Sequence, residues 1–452
     1  MNTQFEFGEH AAPQLAPFAA DAKLPKAVDV VVIGGGIAGV STALALAEKG
    51  VSTLLCEKGV IAGEQSSRNW GWVRKSHRDP REMPLMLESE RLWRGMSKRV
   101  DADVGYHQCG IVYLCPDERV LERREAWHRS VEEFQLDSRM ATSSMVEELA
   151  AGSTVPWKGA LYTQSDGRAE PQLAVPAMAR AAQKFGAHVL TRCAVRGIET
   201  EAGRISGVVT ELGTVRCGSV VLAGGIWSSL FCRNIGVRLP QLKVLASVMR
   251  LAPFEGGPTV STSGAGFAFR KRADGGYTVA NGSANTADIV PDSFRYMLDF
   301  LPAFRVERHN LMLRLGQRFV EEARIPNRWK LDAPSPFEMM RVTDPAPVPS
   351  VMRTARENLD RAFPIFKGKP VKNSWAGLID ATPDAIPVIS PVGEVPGLHI
   401  ATGFSGHGFG IGPGAGQLMA NLVLGDTPVV DPSPFRLSRF SDGSGLHVTS
   451  GI

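Results

Sequence analysis

Three glycines and one acidic residue near the start of the chain have the types and spacing that hold a dinucleotide. Gly34, Gly36 and Gly39 follow the pattern G-x-G-x-x-G, and Glu57 lies 18 residues after the last of them. Such glycines allow a tight turn, the approach of a pyrophosphate to bare backbone, and close packing of a helix on a strand. An acid at the later position accepts hydrogen bonds from an adenosine ribose, so FAD or NAD fits better than NADP.

The elements that must position these residues are a strand, a helix and a second strand. Residues 28–33 are apolar and β-branched, as in a buried parallel strand. Residues 37–49 are rich in Ala and Leu and predict a helix that Gly50 caps. Residues 52–56 predict the second strand. The helix N-terminus of this βαβ unit offers unpaired N–H groups and a positive dipole end to a phosphate.

The composition excludes several classes of protein. The chain has 452 residues and a formal net charge of only +4 without a run of basic residues, which argues against a nucleic-acid surface. No segment predicts a membrane span. The six cysteines lack C-x-x-C spacing, which argues against a metal site and a disulfide framework. Residues 1–27 lack the features of a signal peptide and predict an N-terminal arm, so we expect a cytoplasmic protein.

Two later segments supply the remaining strands of a dinucleotide-binding domain. Residues 189–195 and 205–210 alternate as strands do, and the apolar strand at 219–223 ends in two glycines. A further strand at 398–401 enters a glycine-rich loop, and a helix is predicted from Gly414 onward. Such a helix end is suited to the pyrimidine edge of a flavin, where negative charge develops on reduction.

Together these motifs resemble the D-amino-acid oxidase, glycine oxidase and sarcosine oxidase superfamily of FAD-dependent oxidoreductases. The resemblance is carried by the N-terminal fingerprint, by VVLAGGIWS, and by SWAGLIDATPDAIPVISPVGEVPGLHIATGFSGHGFGIGPGAG near the C-terminus. It implies FAD and an α/β fold. Noncovalent binding of the FAD is favoured, with a covalent link through His77 as the alternative. In that fold a Rossmann-like FAD-binding domain (residues 28–80, 151–240 and 366–452) is interleaved with an antiparallel-sheet substrate domain (residues 81–150 and 241–365).

The resemblance also assigns residues to the cofactor. The cofactor-binding residues that it implies are Gly34, Gly36, Ile37, Ala38, Gly39, Glu57, Lys58, Ser66, Ser67, Arg68, Val195, Gly224, Trp227, Gly406, His407, Gly408 and Gly410. His407 is also the candidate catalytic acid or base at the flavin. The alternative interpretation is a loop histidine whose neighbouring backbone amides do the work.

The segments between these motifs predict the substrate domain. Residues 242–253 predict a strand, and a hairpin turn is predicted at 273–275. Residues 81–96 and 130–141 have the amphipathic spacing of helices.

Aromatic side chains near these elements are candidates for substrate contact. Trp70 and Trp72 follow the Ser-Ser-Arg segment, and Phe267, Phe269 and Tyr277 lie on the predicted hairpin. Aromatic rings pack well against a substrate chain or an ammonium group, and core packing explains them equally well.

One position departs from the pattern of amino-acid-oxidising relatives. Those enzymes resemble this chain around AGLIDATPD but carry an arginine for the substrate carboxylate where Ile379 stands here. Either the substrate lacks a carboxylate at that point, or the anchor is Arg74, Arg250 or Arg270. The adjacent Asp380 favours a cationic substrate or serves only in a turn.

The resemblance implies oxidation of the C–N bond of a primary or secondary amine, including an opine-like or N-substituted amino acid. Hydride would pass to flavin N5, and the resulting imine would be hydrolysed. One alternative is oxidation of a 2-hydroxy acid, with His407 or His77 as the base. The other is a flavin subunit of a hetero-oligomeric dehydrogenase. The electron acceptor is therefore oxygen or a protein partner, and homo- and hetero-oligomers both remain open.

Overall fold

The computed structural model describes residues 7–282, 285–308 and 311–448. Its strands in chain order are β1 (Glu9–His10), β2 (Val30–Ile33), β3 (Thr53–Cys56), β4 (Trp72–Val73), β5 (His107–Gln108), β6 (Ile111–Cys115), β7 (Ser138–Met140), β8 (Gly159–Thr163), β9 (Gly167–Arg168), β10 (His188–Leu190), β11 (Val195–Glu201), β12 (Arg204–Thr210), β13 (Gly213–Arg216), β14 (Ser219–Leu222), β15 (Leu242–Leu251), β16 (Ser261–Gly264), β17 (Phe267–Lys271), β18 (Tyr277–Ala280), β19 (Asn285–Asp288), β20 (Leu311–Arg314), β21 (Val371–Ala381), β22 (Val388–Pro391) and β23 (Leu398–Thr402).

The strands alternate with α-helices, so the predicted α/β fold class is confirmed. The helices are α1 (Ile37–Glu48), α2 (Gln65–Arg68), α3 (Met83–Arg94), α4 (Met96–Val100), α5 (Glu118–Ser130), α6 (Ser143–Leu149), α7 (Pro171–Lys184), α8 (Ser228–Asn234), α9 (Pro291–Arg295), α10 (Met297–Glu307), α11 (Gln317–Ala323), α12 (Pro336–Met339), α13 (Pro349–Ala362) and α14 (Gly408–Leu424). Within the described ranges, no helix has the length and apolar character needed to cross a membrane.

A sheet of mostly parallel strands carries the nucleotide fingerprint. In the part of the chain that the structure describes, its order is β10-β3-β2-β14-β23-β22, and only the last pair is antiparallel. The four residues of β2 are all buried, as their apolar, β-branched types predict. Helix α1 connects β2 to β3 and ends as predicted. The N–H of Gly50, at a φ of +75°, donates to the carbonyl of Ala47 at 2.9 Å.

A larger and largely antiparallel sheet lies beside it. Its path is β1-β21-β15-β18-β17-β16-β6-β8-β7, with β19 paired to β15 and β20 paired to β19. Strands β15 and β21 are its longest pair and place Val244 opposite Ile379. The predicted hairpin joins β17 to β18, with Gly275 at a φ of +81°. Strands β8 and β21 belong to this sheet, although their residues fall in the ranges predicted for the FAD-binding domain. The domain boundaries stay a prediction.

Helix α14 begins six residues earlier than its sequence indicates, at Gly408 and not at Gly414. Glycine at every second position is typical of a loop, but here these glycines form a packing surface. A Cβ atom on Gly412 would lie 2.4 Å from Cγ1 of Ile37, and one on Gly416 would lie 2.4 Å from the backbone carbon of Ser41. The glycines therefore let α14 lie directly against α1, a tertiary benefit that overrides their low helix propensity.

The helix predicted for residues 130–141 is wrong. Helix α5 ends at Ser130, and Gln135 adopts a left-handed conformation with a φ of +48°. Residues Ser138–Met140 then form β7, which pairs with β8 at the edge of the large sheet. Pairing with a neighbouring strand thus overrides the local helical spacing.

The contact between α14 and α1 predicts an unusual response to alanine. Alanine normally stabilises a helix relative to glycine by about 1 kcal/mol. At position 416 the added Cβ would collide with the backbone of α1, so we expect Gly416→Ala to lower the free energy of unfolding by about 1–3 kcal/mol. Thermal or denaturant unfolding measures the change. Gly393→Ala is the control, because a Cβ there has no neighbour within 4 Å. A stabilised Gly416→Ala protein would contradict the packing described.

Candidate active site

A cavity of about 920 Å³ lies where the carboxyl ends of β2, β3, β14 and β23 meet the large sheet. Ligands of open parallel sheets bind at this edge, because helix N-termini and loops converge there. The predicted cofactor residues that line the cavity are Gly34, Gly36, Ile37, Ala38, Glu57, Lys58, Ser66, Arg68, Val195, Gly224, Trp227, Gly406, His407, Gly408 and Gly410. Gly39 and Ser67 do not line it.

Each glycine of the fingerprint is needed at its position for a different reason. Gly34 has a φ of +113°, and a Cβ on it would lie 2.4 Å from the carbonyl oxygen of Ala223. A Cβ on Gly39 would lie 2.0 Å from the carbonyl oxygen of Gly34, so this residue permits the helix to pack on the turn. Gly36 lines the cavity and keeps the first turn of α1 accessible.

The carboxylate of Glu57 is fixed at the end of β3. Its two oxygens accept hydrogen bonds from the backbone N–H groups of Gly35 and Gly59, both at 2.6 Å. A carboxylate has about four lone-pair sites, so both oxygens can still accept hydroxyl groups. Burial raises the pKa of Glu57, while Lys58 and the two N–H donors oppose that rise.

The two predicted cofactor cations are already engaged by the protein. The ammonium of Lys58 donates to Glu64 at 3.1 Å, and the indole N–H of Trp227 donates to the same carboxylate at 3.1 Å. The guanidinium of Arg68 donates to the carbonyl of Ala376 at 2.9 Å and pairs with Asp344. Their charges are therefore largely balanced before any ligand binds.

His407 is held by a buried acid and a buried arginine. Its Nδ1 lies 3.1 Å from Oε2 of Glu82, and Glu82 lies 3.5 Å from the guanidinium of Arg78. Arg78 in turn donates to the carbonyl of His407 at 3.2 Å. Burial lowers the pKa of His407 more than Glu82 raises it. The imidazole is therefore neutral near pH 7, with its proton on Nδ1 facing Glu82 and Nε2 left as an acceptor.

Asp380 lies at the end of β21 and lines the cavity beside Ile379. Its Oδ2 accepts hydrogen bonds from the N–H of Gly403 at 2.7 Å and from the hydroxyl of Thr402 at 3.2 Å. Burial raises the pKa of Asp380 to about 6, although these donors oppose the shift. Asp380 thus ties β21 to β23, and the structure gives it a turn-stabilising contact together with a place in the lining.

The predicted substrate aromatics separate into two groups. Trp70 and Trp72 line the cavity, with their ring centroids 5.3 Å apart in an edge-to-face contact. Phe267, Phe269 and Tyr277 do not line it. They pack with the rings of Phe363 and Phe366, which follow α13, and all three are at most 1% exposed. Alternation along β17 and β18 turns these side chains into the core, so the structure gives them a packing role.

The three arginines that are candidate anchors for a substrate carboxylate differ in their partners and in whether they line the cavity. Arg250 pairs with Asp274, and Arg270 forms a bidentate ion pair with Glu170 at 2.6 and 2.9 Å. Neither lines the cavity. Arg74 does line it and donates to the carbonyl of Ser76. No carboxylate within the described residues forms an ion pair with Arg74.

Several lining residues carried no signal in the sequence. Tyr113 on β6, with Arg124 and Trp127 on α5, form one wall of the cavity beside Trp72. The spacing of three residues between Arg124 and Trp127 shows only that they share a helix face. Their contact with the cavity depends on how α5 packs on the sheet.

These features fit FAD on structural grounds. The glycine turn leaves room for a pyrophosphate at the N-terminus of α1, and Glu57 keeps acceptor capacity for ribose hydroxyls. The N-terminus of α14 meets the same cavity at Gly408 and Gly410. The cavity is long enough to include residues from the fingerprint at one end and Tyr113 at the other.

Comparison with known proteins assigns the family. The family described as FAD dependent oxidoreductase (DAO) matches residues 29–422. The chain belongs to this family. It is therefore an FAD-dependent oxidoreductase, as the resemblance of its motifs predicts.

Individual members of the FAD dependent oxidoreductase family match over nearly the whole chain. The beta subunit of sarcosine oxidase from Arthrobacter sp is 27% identical over 432 residues, 92% of each chain. Glycine oxidase from Pseudomonas putida is 25% identical and covers 90% of this chain and 97% of its own. The structure of L-amino acid deaminase from Proteus myxofaciens in complex with anthranilate superposes with a TM-score of 0.91 at 36% identity, covering 97% and 99% of the two chains.

We predict that the carboxylate of Glu57 contributes directly to FAD affinity. Glu57→Gln replaces one acceptor oxygen by an amide N–H₂ that must face a backbone N–H donor. Loss of a charge-assisted hydrogen bond corresponds to about a 10- to 100-fold rise in the dissociation constant. Titration of the flavin-free protein with FAD, followed by flavin fluorescence, measures it. Glu199→Gln, an exposed acid on β11, is the control. Equal affinity for FAD in the two variants would exclude this role.

Asp380 predicts a pH-dependent stability with a definite sign. The unfolded carboxyl titrates near 3.8 and the folded one near 6, so the folded state binds the extra proton. The resulting stabilisation is complete below pH 4 and is lost as the pH rises through 6. Relative to Asp380→Asn, we expect the wild-type free energy of unfolding to fall by up to about 3 kcal/mol from pH 4 to 7. Asp332→Asn, at an exposed position, is the control. A difference that does not change with pH would disprove the shift.

Proposed function

We propose that the protein oxidises the C–N bond of an α-amino acid or an N-substituted amino acid, with Arg74 as the anchor of the α-carboxylate. The observation that carries the proposal is the position of Arg74 in the cavity wall without an acidic partner among the described residues. A planar guanidinium binds a carboxylate through two parallel hydrogen bonds. Arg74 therefore supplies what Ile379 cannot.

The remaining residues of the site orient the amine and keep it reactive. Bound FAD supplies the acceptor of the hydride that leaves the substrate carbon. The carboxylate held by Arg74 and the indole rings of Trp70 and Trp72 fix the substrate and restrict water around it. Oxidation requires a neutral amine, and Nε2 of His407 is the acceptor available for its proton. The product imine is then hydrolysed by water.

The names of the relatives support an amino-acid substrate. They are a sarcosine oxidase subunit, a glycine oxidase and an L-amino acid deaminase, and the deaminase has the highest identity of the three at 36%. L-amino acids are therefore the first class to examine. The sarcosine oxidase match is to a beta subunit, so a hetero-oligomer with a separate electron acceptor belongs to the same test.

The reaction class can be tested by anaerobic reduction of the purified flavoprotein. L- and D-amino acids, N-alkyl amino acids, simple amines and 2-hydroxy acids are mixed in turn with the protein while flavin absorbance is followed. We expect bleaching by amino acids and not by amines that lack a carboxylate. Readmission of oxygen, or addition of an artificial acceptor, then identifies the route of reoxidation. Bleaching by 2-hydroxy acids alone would replace C–N oxidation with alcohol oxidation.

The anchor makes a separate prediction. Arg74→Gln should raise the KM for the amino acid by about 10- to 100-fold, because a charge-assisted bidentate contact is lost. Flavin content and the kcat at saturation should change much less. Arg250→Gln is the matched control, since Arg250 pairs with Asp274 away from the cavity. If both variants have the wild-type KM, the carboxylate is bound elsewhere.

A further inference from the structure

A second guanidinium lies in the same wall of the cavity. Arg124, on helix α5, lies over the ring of Tyr113, with its guanidinium carbon 4.6 Å from the ring centroid. Both residues line the cavity. Contact with an aromatic face fixes the plane of a guanidinium without neutralising its charge. The stack therefore presents the edge of Arg124 in a defined orientation.

Arg124 has no acidic partner within the described ranges. Its Nε is buried and makes no hydrogen bond to the protein. Buried polar groups are nearly always paired. The residue as a whole is only partly buried and lines the cavity, so its unbalanced guanidinium is suited to bind an anionic ligand there.

Arg74 adds a second unbalanced charge to the same region. Burial first, and then the charge of Arg74, lower the pKa of Arg124 to about 10. Arg78, which also lines the cavity, differs because Glu82 lies 3.5 Å from its guanidinium and balances its charge. One carboxylate bound by Arg74 would leave the charge of Arg124 unneutralised among the rings of Tyr113 and Trp127.

We propose that the substrate carries a second carboxylate, on its side chain or on its nitrogen substituent, and that Arg124 binds it while Arg74 binds the α-carboxylate. This inference rests on the proposed function and narrows it to dicarboxylic substrates. Two classes of substrate carry such a second carboxylate, an acidic amino acid and an N-carboxyalkyl amino acid. In both classes a short chain of atoms separates the two carboxylates. The oxidisable C–N bond lies within that chain in the N-carboxyalkyl amino acid and next to it in the acidic amino acid.

Binding to the holoprotein tests the second anion site without turnover. Glutarate and butyrate are titrated in turn while the flavin difference spectrum is recorded. We expect glutarate to bind about 10- to 100-fold more tightly, the range for one charge-assisted hydrogen-bonded contact. Arg124→Gln should reduce this ratio to near one, and Arg124→Lys should retain part of it. Equal binding of the two acids to the wild type would overturn the proposal.

Turnover then distinguishes the two classes of substrate. Glutamate is compared with glutamine, and N-(carboxymethyl)glycine with N-ethylglycine. A preference for the diacid of about 10- to 100-fold in kcat/KM in one pair identifies where the second carboxylate belongs. No preference in either pair would overturn the proposal.

The controls separate folding from recognition. Arg129→Gln lies on the same helix, at an exposed arginine 3.9 Å from Glu125, and should keep the wild-type ratios. Flavin content and the melting temperature are compared across all variants. Arg124→Gln that retains the diacid preference with full flavin content would overturn the proposal. If no amine or amino acid reduces the flavin, the proposed C–N oxidation fails, while the glutarate titration still decides whether Arg124 binds an anion.

Discussion

The direct contact between helices α1 and α14 is the constraint on which the site depends. Both helices begin at the cavity, α1 after the fingerprint turn and α14 at Gly408. Bare glycine backbone lets α14 approach α1, and Ser89 and Trp93 of α3 donate to the carbonyl of Gly410 on its other side at 2.7 and 2.9 Å. Two helix N-termini are thereby held next to one cavity, where they provide partial positive charge without any mobile side chain.

The cavity differs in its charge balance from one end to the other. Beside the glycine fingerprint, the cations Lys58 and Arg68 have Glu64 and Asp344 as partners. Around Tyr113 the charge balance is different, because Arg74 and Arg124 have no acidic partner among the described residues. The proposed roles follow this difference, with the cofactor where the cations have acidic partners and the substrate where Arg74 and Arg124 have none among the described residues.

Local sequence was sufficient for the features that rest on local physics. The glycine fingerprint, helix α1 and the strand before Gly224 follow from steric limits and apolar patterning within a few residues. The start of α14 was not predictable in this way, since its glycines are explained only by contact with α1 and α3. The helix predicted over residues 130–141 failed for the same reason, because β8 supplies the hydrogen bonds that decide its conformation.

Within the site, the missing information was also long-range. His407 and Glu82 are 325 residues apart, and no spacing rule links them. The aromatic residues of β17 and β18 were compatible with core and with substrate until the strand register showed which face they occupy. Arg74, Arg250 and Arg270 were equivalent as arginines, and only the structure shows that Arg250 and Arg270 have acidic partners while Arg74 lines the cavity.

Strand β21 connects the two sheets, and this connection affects whether the molecule can be divided into separate domains. It pairs along β15 in the large sheet, while Asp380 near its end binds the backbone of Gly403 beside the parallel sheet. The parallel sheet takes strands from the beginning, middle and end of the chain, and the large sheet takes its strands, apart from β1, from the intervals between them. No single break in the polypeptide releases either sheet intact. The two sheets are therefore inherited as one unit, and neither can be exchanged between proteins as a contiguous fragment.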